Sequence, residues 1–194
     1  MRGRATPDAG SAAIKTGAVV CVFGSSLAPA GSVACEEARL AGALLAREGY
    51  TVCSGGYGGT MEAVSRGAKE AGGHTVGVTT DWFADLAPNA WLDQEIRTAT
   101  YLDRIHTLIG KGAAYLALQG GVGTLTEISL VWSMLQTSSI PVRPFVLLSR
   151  PWRGLLQFAG ESLIVRPDDL GFLRLANTPQ DAVQIITTWL QGRV

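Results

Sequence analysis

A chain of 194 residues can bury the core of one ordinary domain and is short for a two-domain enzyme. Its 16 Lys and Arg balance 16 Asp and Glu, and no run of like charge stands out. This balance argues against an extended nucleic-acid surface or a basic membrane-binding patch, so we expect neither a nucleic-acid polymer nor a membrane as partner. Any anion is expected to bind locally.

Cysteine content and the first residues bear on location and domain limits. Cys21, Cys35 and Cys53 form no CxxC pair and lack zinc-ligand spacing with either histidine. We therefore expect buried reduced thiols, no metal site and a cytoplasmic location. Residues 1–16 hold two arginines but no apolar core of the kind found in a signal peptide. We interpret them as a flexible N-terminal tail ahead of a single domain, 17–194.

Most of the chain alternates short apolar runs that end in glycine with stretches of helical composition. In chain order the predicted strands are "GAVVCVFGSS", "YTVCSGG", "HTVGVTT", a short one near "QEIRT", "AAYLALQGG" and "RPFVLLSR". The helices predicted between them are "SVACEEARLAGALLAREG", "GTMEAVSRGAKEAGG", "YLDRIHTLIGKG" and "GTLTEISLVWSMLQTSS". Such alternation is typical of a parallel sheet covered on both faces. The sequence therefore predicts an α/β fold, a Rossmann-like three-layer sandwich with a mainly parallel sheet.

Two segments are less regular. Residues 81–99 mix tryptophan, proline and polar residues, and we interpret them as a surface excursion that returns through the strand near "QEIRT". After residue 150 the pattern predicts a helix, a short strand and a terminal helix. The terminal helix has a clear start, with Thr178 as N-cap, Pro179 at the first helical position and Asp181 in the first turn.

Glycine and hydroxyl residues cluster where three predicted strands end. Because the carboxyl ends of parallel strands share one edge of a sheet, these clusters should meet, and ligands of such sheets bind there. None of the clusters has the GxGxxG or GxxxxGK[ST] spacing. The candidate binding residues in the first two clusters are Gly24, Ser25, Gly55, Gly56 and Thr60.

The third cluster, Gly120-Gly121-Val122-Gly123-Thr124, makes the strongest case for a phosphate. Glycines let backbone N–H groups approach an anion, the following helix presents its positive end, and the Thr124 hydroxyl can donate a further hydrogen bond. Glu127 is expected in the first helical turn, close to the bound group. A structural alternative stays open, in which the glycines serve only a tight turn and Glu127 completes a capping box with Thr124.

Taken together, these segments resemble the LOG ("Lonely Guy") family. "QGGVGTLTE" is similar to its "PGGxGTxxE" signature, and "SGGYGGTMEAVSRGAKEAGGHTVGV" is similar to its other glycine segment, "GGGxxGxMxxVxxxAxxxGGxxxGV". "VVCVFGSS" resembles the first strand of the family, and "YLDRIHTLIGKGAAYLALQGG" resembles the helix and strand before the signature. The resemblance follows family order over roughly residues 17–190 and is more specific than any lone motif.

This resemblance implies a Rossmann-like nucleotide-binding domain, usually dimeric, and a cytokinin-activating phosphoribohydrolase activity. Such enzymes cleave the N-glycosidic bond of a nucleoside 5′-monophosphate to free base and ribose 5-phosphate. By position, Gly120, Gly121, Gly123 and Thr124 would hold the phosphate, Glu127 would be the catalytic glutamate and Arg104 the arginine of the family. No cofactor is implied. For Arg104 the residues also allow a surface ion pair with Asp103.

Three departures from the family pattern keep a second function open. Ile105 stands where the proven hydrolases have lysine, and Gln119 replaces the proline that opens the signature. The run Met61-Glu62-Ala63-Val64 is closer to relatives that include molybdenum-cofactor carriers. The alternative is therefore a carrier or nucleotide-binding protein that uses the same anion site without chemistry.

Overall fold

The computed structural model describes residues 17–148 and 150–192. These residues build one seven-stranded sheet in which every neighbouring pair of strands is parallel. The prediction of a flexible tail falls on 1–16, outside the described residues, and the limits of the single domain stay a prediction. The predicted Rossmann-like α/β sandwich is confirmed.

The elements alternate along the chain as the glycine-punctuated pattern predicts. The strands are β1 (Val19–Phe23), β2 (Thr51–Ser54), β3 (Thr75–Thr80), β4 (Gln94–Thr98), β5 (Ala114–Ala117), β6 (Phe145–Leu148) and β7 (Leu173–Ala176). They lie in the sheet in the order β4-β3-β2-β1-β5-β6-β7. The helices are α1 (Val33–Arg47), α2 (Thr60–Glu70), α3 (Tyr101–Lys111), α4 (Val122–Gln136), α5 (Arg150–Ser162), α6 (Pro167–Leu170) and α7 (Pro179–Leu190). A single 3₁₀ turn, Asp81–Phe83, lies in the predicted excursion.

Helices cover both faces of the sheet, and each face has its own apolar core. One core joins α1, α2 and α7 to the sheet, and the other joins α3, α4 and α5. The inner strands are buried on both sides, which explains their continuous apolar runs. The three cysteines are buried and unpaired, as expected. From β1 the chain adds strands outward to β4, and α3 then returns it to β5 on the other side of β1. The topological switch point therefore lies between β1 and β5.

Local sequence signals predict the start of α7 correctly, but they miss the short helix α6 and misplace the start of α4. The Thr178 hydroxyl accepts a hydrogen bond from the Asp181 N–H and Pro179 opens α7, as predicted. The short helix α6 was not predicted, because four residues are too few for a periodic pattern. The helix after the signature loop begins at Val122, so Thr124 lies within its first turn and not before it.

The contact between α1 and α2 depends on two glycines. A Cβ on Gly67 would lie 1.8 Å from the carbonyl oxygen of Arg39, and one on Gly42 would lie 2.0 Å from that of Val64. Both neighbours are helix backbone, which has little room to shift. The two helices therefore pack at a separation that only residues without a side chain allow.

We expect Gly67→Ala to lower the free energy of unfolding by roughly 1–3 kcal/mol, because overpacking between the helices outweighs the better helix propensity of alanine. Gly110→Ala is the matched control, since a Cβ on this helical glycine has no neighbour within 4 Å. It should be neutral or stabilising by up to about 1 kcal/mol. Urea unfolding of both variants measures the difference. Equal stabilities would contradict the tight contact.

Candidate functional site

A cleft of about 380 Å³ opens at the carboxyl edge of the sheet, at the switch point between β1 and β5. One wall comes from the loop after β1 and the loop after β2. The other comes from the amino-terminal ends of α3 and α4. It is lined by Gly24, Ser25, Ser26, Leu27, Tyr57, Met61, Phe83, Leu86, Tyr101, Arg104, Gly121, Val122, Gly123, Thr124 and Glu127. Ligands of open parallel sheets bind at this place.

The three glycines of the signature loop differ in what requires them. A Cβ on Gly120 would lie 2.0 Å from the Thr124 hydroxyl, so packing alone demands glycine there. A Cβ on Gly121 would meet nothing within 4 Å, and the nearest atom to one on Gly123 is the Tyr101 hydroxyl at 3.9 Å. Gly121 also has a negative φ of −106°. Neither packing nor a left-handed backbone accounts for Gly121, and the open space above it leaves the helix N-terminus accessible to a ligand.

Thr124 supplies a hydroxyl with no partner among the described residues. Its Oγ1 is buried and lacks a hydrogen bond to any described residue. The capping-box interpretation is wrong, because Gly121 is the N-cap of α4 and no side chain caps the helix. A buried hydroxyl without a partner costs free energy, and an anion beside the helix N-terminus would satisfy it.

Glu127 lies deeper than the sequence suggests. It is the sixth residue of α4, in the second turn and not the first as expected, and its side chain is only 7% exposed. Burial raises its pKa to about 7, opposed by the nearby positive charge of Arg104. A carboxyl that titrates near neutral pH and faces a cleft is suited to exchange a proton or to stabilise positive charge in a reaction.

Arg104 is buried and faces the cleft, so the alternative of a surface ion pair with Asp103 is wrong. Its Nη1 lies 3.9 Å from Oε1 of Glu127, which is beyond hydrogen-bonding distance. Nε donates a hydrogen bond to the Val78 carbonyl at 2.8 Å, and Nη2 donates to the Gly55 carbonyl at 3.1 Å. Arg104 therefore carries its charge next to Glu127 while the backbone fixes its orientation.

The remaining predicted residues divide between the cleft and its support. Gly24 and Ser25 line the cleft, and the Ser25 N–H donates to Oγ1 of Thr60 at 2.9 Å. Thr60 is fully buried, so this bond engages its hydroxyl away from the ligand space. A Cβ on Gly55 would lie 1.8 Å from Nη2 of Arg104, and Gly56 has a φ of +79°. Gly55, Gly56, Thr60 and Gly120 are not among the residues that line the cleft, and their direct binding role stays a prediction.

Sequence reasoning missed an aromatic wall of the cleft. Tyr57, Phe83 and Tyr101 come from three separate segments, and their ring centroids follow one another at 5.8 and 5.7 Å. Only Phe83 lies in the excursion that the sequence marked as irregular. The single usable signal was an aromatic residue between two glycine pairs in "GGYGG". Contacts between distant segments are invisible to local patterns.

Within the part of the chain that the structure describes, no group of three or more His, Cys, Asp or Glu side chains is placed to hold a metal ion. None of the described helices combines the length and apolarity needed to cross a membrane.

Comparison with known proteins assigns this chain to a family. Residues 17–140 match the model of the SLOG cluster4 family, and the chain belongs to that family. A cytokinin riboside 5′-monophosphate phosphoribohydrolase of Mycobacterium marinum is 38% identical over 101 residues, covering 50% of this chain and 54% of that protein. The protein of the same name from Mycobacterium tuberculosis is 34% identical over 122 residues, covering 60% and 63%. The chain thus spans between half and two thirds of these relatives. The predicted LOG resemblance is confirmed.

A solved structure with the same fold comes from a protein of another description. The molybdenum cofactor binding protein of the phototrophic bacterium Rippkaea orientalis aligns with a TM-score of 0.72 at 23% identity. The alignment covers 89% of this chain and 97% of that one. At this identity the likeness shows the fold alone.

Gly121→Ala should weaken binding of inorganic phosphate on the order of tenfold while leaving the fold unchanged, because its Cβ has open space in the protein but would crowd an anion. Calorimetry gives the affinity and urea unfolding gives the stability. Gly110→Ala, at an equally open position in α3, is the control and should bind phosphate as the parent does. Equal phosphate affinity in both variants would argue against an anion at Gly121.

Glu127→Gln should stabilise the folded protein at high pH. Since the folded pKa of about 7 lies above the ordinary 4.5, the folded state binds the proton more tightly than the unfolded state. The Glu127 contribution is therefore most favourable below pH 4.5 and is lost as pH rises through 7. Urea unfolding should show Glu127→Gln more stable by up to roughly 3 kcal/mol at pH 8, with the gap closing toward pH 4. A gap independent of pH would contradict the burial of an ionisable carboxyl.

Proposed function

We propose that this protein is a nucleoside 5′-monophosphate phosphoribohydrolase that cleaves the N-glycosidic bond and releases free base and ribose 5-phosphate. The observation that carries this proposal is the buried carboxyl of Glu127, which faces the cleft from the second turn of α4. The first turn of the same helix carries the Thr124 hydroxyl, which has no partner among the described residues. A phosphate site and a titratable carboxyl thus lie on one helix. The family and the printed activity of the two mycobacterial relatives support the same reaction.

In this proposal the start of α4 holds the phosphate. The open space above Gly121 and Gly123 admits the anion, and the Thr124 hydroxyl donates to one of its oxygens. Ser25, on the facing loop, lines the same cleft, and its hydroxyl accepts a hydrogen bond from the Leu27 N–H at 3.1 Å. A phosphate fixed at one end orients the ribose and reduces the entropy lost in reaching the reactive geometry.

Glu127 then acts on the ribosyl group. Glycosidic cleavage builds positive charge on the ribose ring, and an ionised carboxylate beside that ring stabilises it or deprotonates the attacking water. This role requires the ionised form, so activity should fall as pH drops below about 7, the pKa of Glu127. Arg104 favours ionisation of Glu127 through its positive charge.

The substrate class follows from this division of labour. An AMP-like nucleoside monophosphate, including the cytokinin riboside 5′-monophosphates of the relatives' name, presents a phosphate, a ribose and an aromatic base in order. The cleft is also lined by the aromatic and aliphatic side chains of Phe83, Leu86 and Leu27, which suit the flat face of a base. We further propose that the protein is cytoplasmic and forms a homodimer. Sedimentation of the purified protein measures whether it is a dimer.

A molybdenum-cofactor carrier is the second candidate. The fold of the Rippkaea orientalis protein and the "GTMEAV" segment favour it. A carrier needs the anion site but no carboxyl that titrates near neutral pH. Copurification of a pterin, detected by absorbance and mass spectrometry, would favour this function.

The enzyme function is tested with a panel of nucleoside 5′-monophosphates and the matching nucleosides, with released base separated by chromatography. Base should appear only from the phosphorylated compounds. Glu127→Gln should lower kcat by at least about 100-fold, because acid–base and charge stabilisation of this kind contribute that much, while nucleotide binding persists. Gly110→Ala should keep the parent activity. If the parent protein binds nucleotide but releases no more base than Glu127→Gln, the enzyme function is contradicted and the carrier function is favoured.

A further inference from the structure

Two aromatic rings lie against the guanidinium of Arg104. The centre of the guanidinium is 5.5 Å from the ring centroid of Tyr57 and 5.9 Å from that of Phe83. Both distances are within the range of cation–π attraction, which is strongest where water is excluded. Arg104 is 5% exposed, so the rings and the two backbone carbonyls that accept from Nε and Nη2 are its immediate surroundings.

The Tyr57 ring is itself firmly fixed. Its hydroxyl donates to the Thr80 carbonyl at 3.2 Å and accepts from the Thr80 N–H at 2.9 Å. Its own carbonyl accepts from Nδ2 of Asn89 at 3.1 Å, and the side chain is buried. Tyr57 therefore joins the end of β3, the loop after β2 and the excursion into one support under Arg104.

The gap between the two charged groups is unusual for a buried pair. A direct arginine–carboxylate contact brings nitrogen and oxygen to about 2.8 Å. Nη1 of Arg104 and Oε1 of Glu127 are 3.9 Å apart although both side chains are almost fully buried. Opposite charges in such surroundings attract strongly, so the other contacts of the guanidinium must hold it back. The carbonyls of Val78 and Gly55 hold Nε and Nη2, and the two rings lie against the face of the group.

We propose that the rings of Tyr57 and Phe83 are positioning groups that hold Arg104 short of direct contact with Glu127 and so leave the carboxyl free to act on a bound substrate. This inference rests on the proposed function in taking Glu127 as the reacting group. Tyr101 and Cys21 also lie near Glu127, but burial raises the pKa of both, which keeps them neutral. Among the groups that face Glu127, Arg104 supplies the positive charge.

The test is a titration of Glu127 by NMR of protein labelled with ¹³C at the glutamate carboxyls, with Glu127→Gln identifying the signal. In Tyr57→Leu the guanidinium should close on the carboxylate and lower the pKa of Glu127 by about one unit or more. Phe83→Leu should shift it in the same direction. Tyr57→Phe keeps the ring and should keep the parent pKa, although it loses both bonds to Thr80 and some stability.

Tyr50→Leu is the matched control, because this buried tyrosine belongs to the core on the other face of the sheet. It should cost stability without moving the pKa of Glu127. An unchanged pKa in folded Tyr57→Leu or Phe83→Leu would overturn the proposal, as would an equal shift in Tyr57→Phe. If Tyr57→Leu does not fold, Phe83→Leu decides the matter, since Phe83 is only half-buried.

Kinetics add a second readout where the enzyme is active. Tyr57→Leu should lower kcat with little change in KM, and in both leucine variants the acid limb of the pH profile should move to lower pH with the pKa of Glu127. A purely structural role would change stability without moving this limb. The titration needs no turnover, so it can contradict the positioning role while the enzyme function holds. It can equally support the positioning role in a protein that shows no cleavage.

Discussion

The charge of a carboxylate buried at the switch point of the sheet is the constraint on which the cleft depends. Burial disfavours the ionised form of Glu127, and among the described residues that line the cleft the guanidinium of Arg104 opposes this effect. Arg104 is in turn buried, and its N–H groups need acceptors, which the carbonyls of Val78 and Gly55 provide. The need for that backbone to approach the guanidinium explains glycine at position 55, where any Cβ would overlap it.

The architecture was predictable because short-range sequence patterns indicate the strands, the helices and the turns between them. Runs such as "VVCVF" and "AYLA" are apolar throughout because both faces of their strands are covered, and each ends at a glycine turn. The meeting of the Gly24, Gly55 and Gly120 turns at one edge followed from parallel strands alone. The glycine loop and Thr124 directed attention to Glu127, and family order then added Arg104.

What local patterns could not supply are contacts between distant segments. Because α4 starts at Val122, Glu127 lies in the second turn and not in the first. No capping side chain marks this helix start in the sequence. Whether a glycine faces a ligand or the protein depends on what lies opposite, as the contrast between Gly120 and Gly121 shows. The pairing of Tyr57 with Arg104 joins residues 47 positions apart, and a spacing rule has no means to detect it.

The structure shows where the departures from the family pattern lie relative to the cleft. Ile105 is 1% exposed and belongs to the core under α3, so this departure changes packing and removes no group that lines the cleft. Gln119 is exposed ahead of the loop. Met61 lies with its sulfur 3.9 Å from Nη2 of Arg104, where it fills space beside the guanidinium. None of the three touches the pairing of Glu127 with the start of α4.

The engagement of Arg104 by carbonyls has a consequence for how the cleft recognises an anion. Among the described residues that line it, Arg104 is the one cation, and its charge is directed at Glu127. A phosphate at Gly121 would thus be held by oriented N–H and hydroxyl dipoles, not by a mobile ammonium group. Dipoles fixed in place distinguish anions by the positions of their oxygens more than by net charge, and dissolved salt screens them less than it screens a free surface cation. Such a site selects for tetrahedral shape.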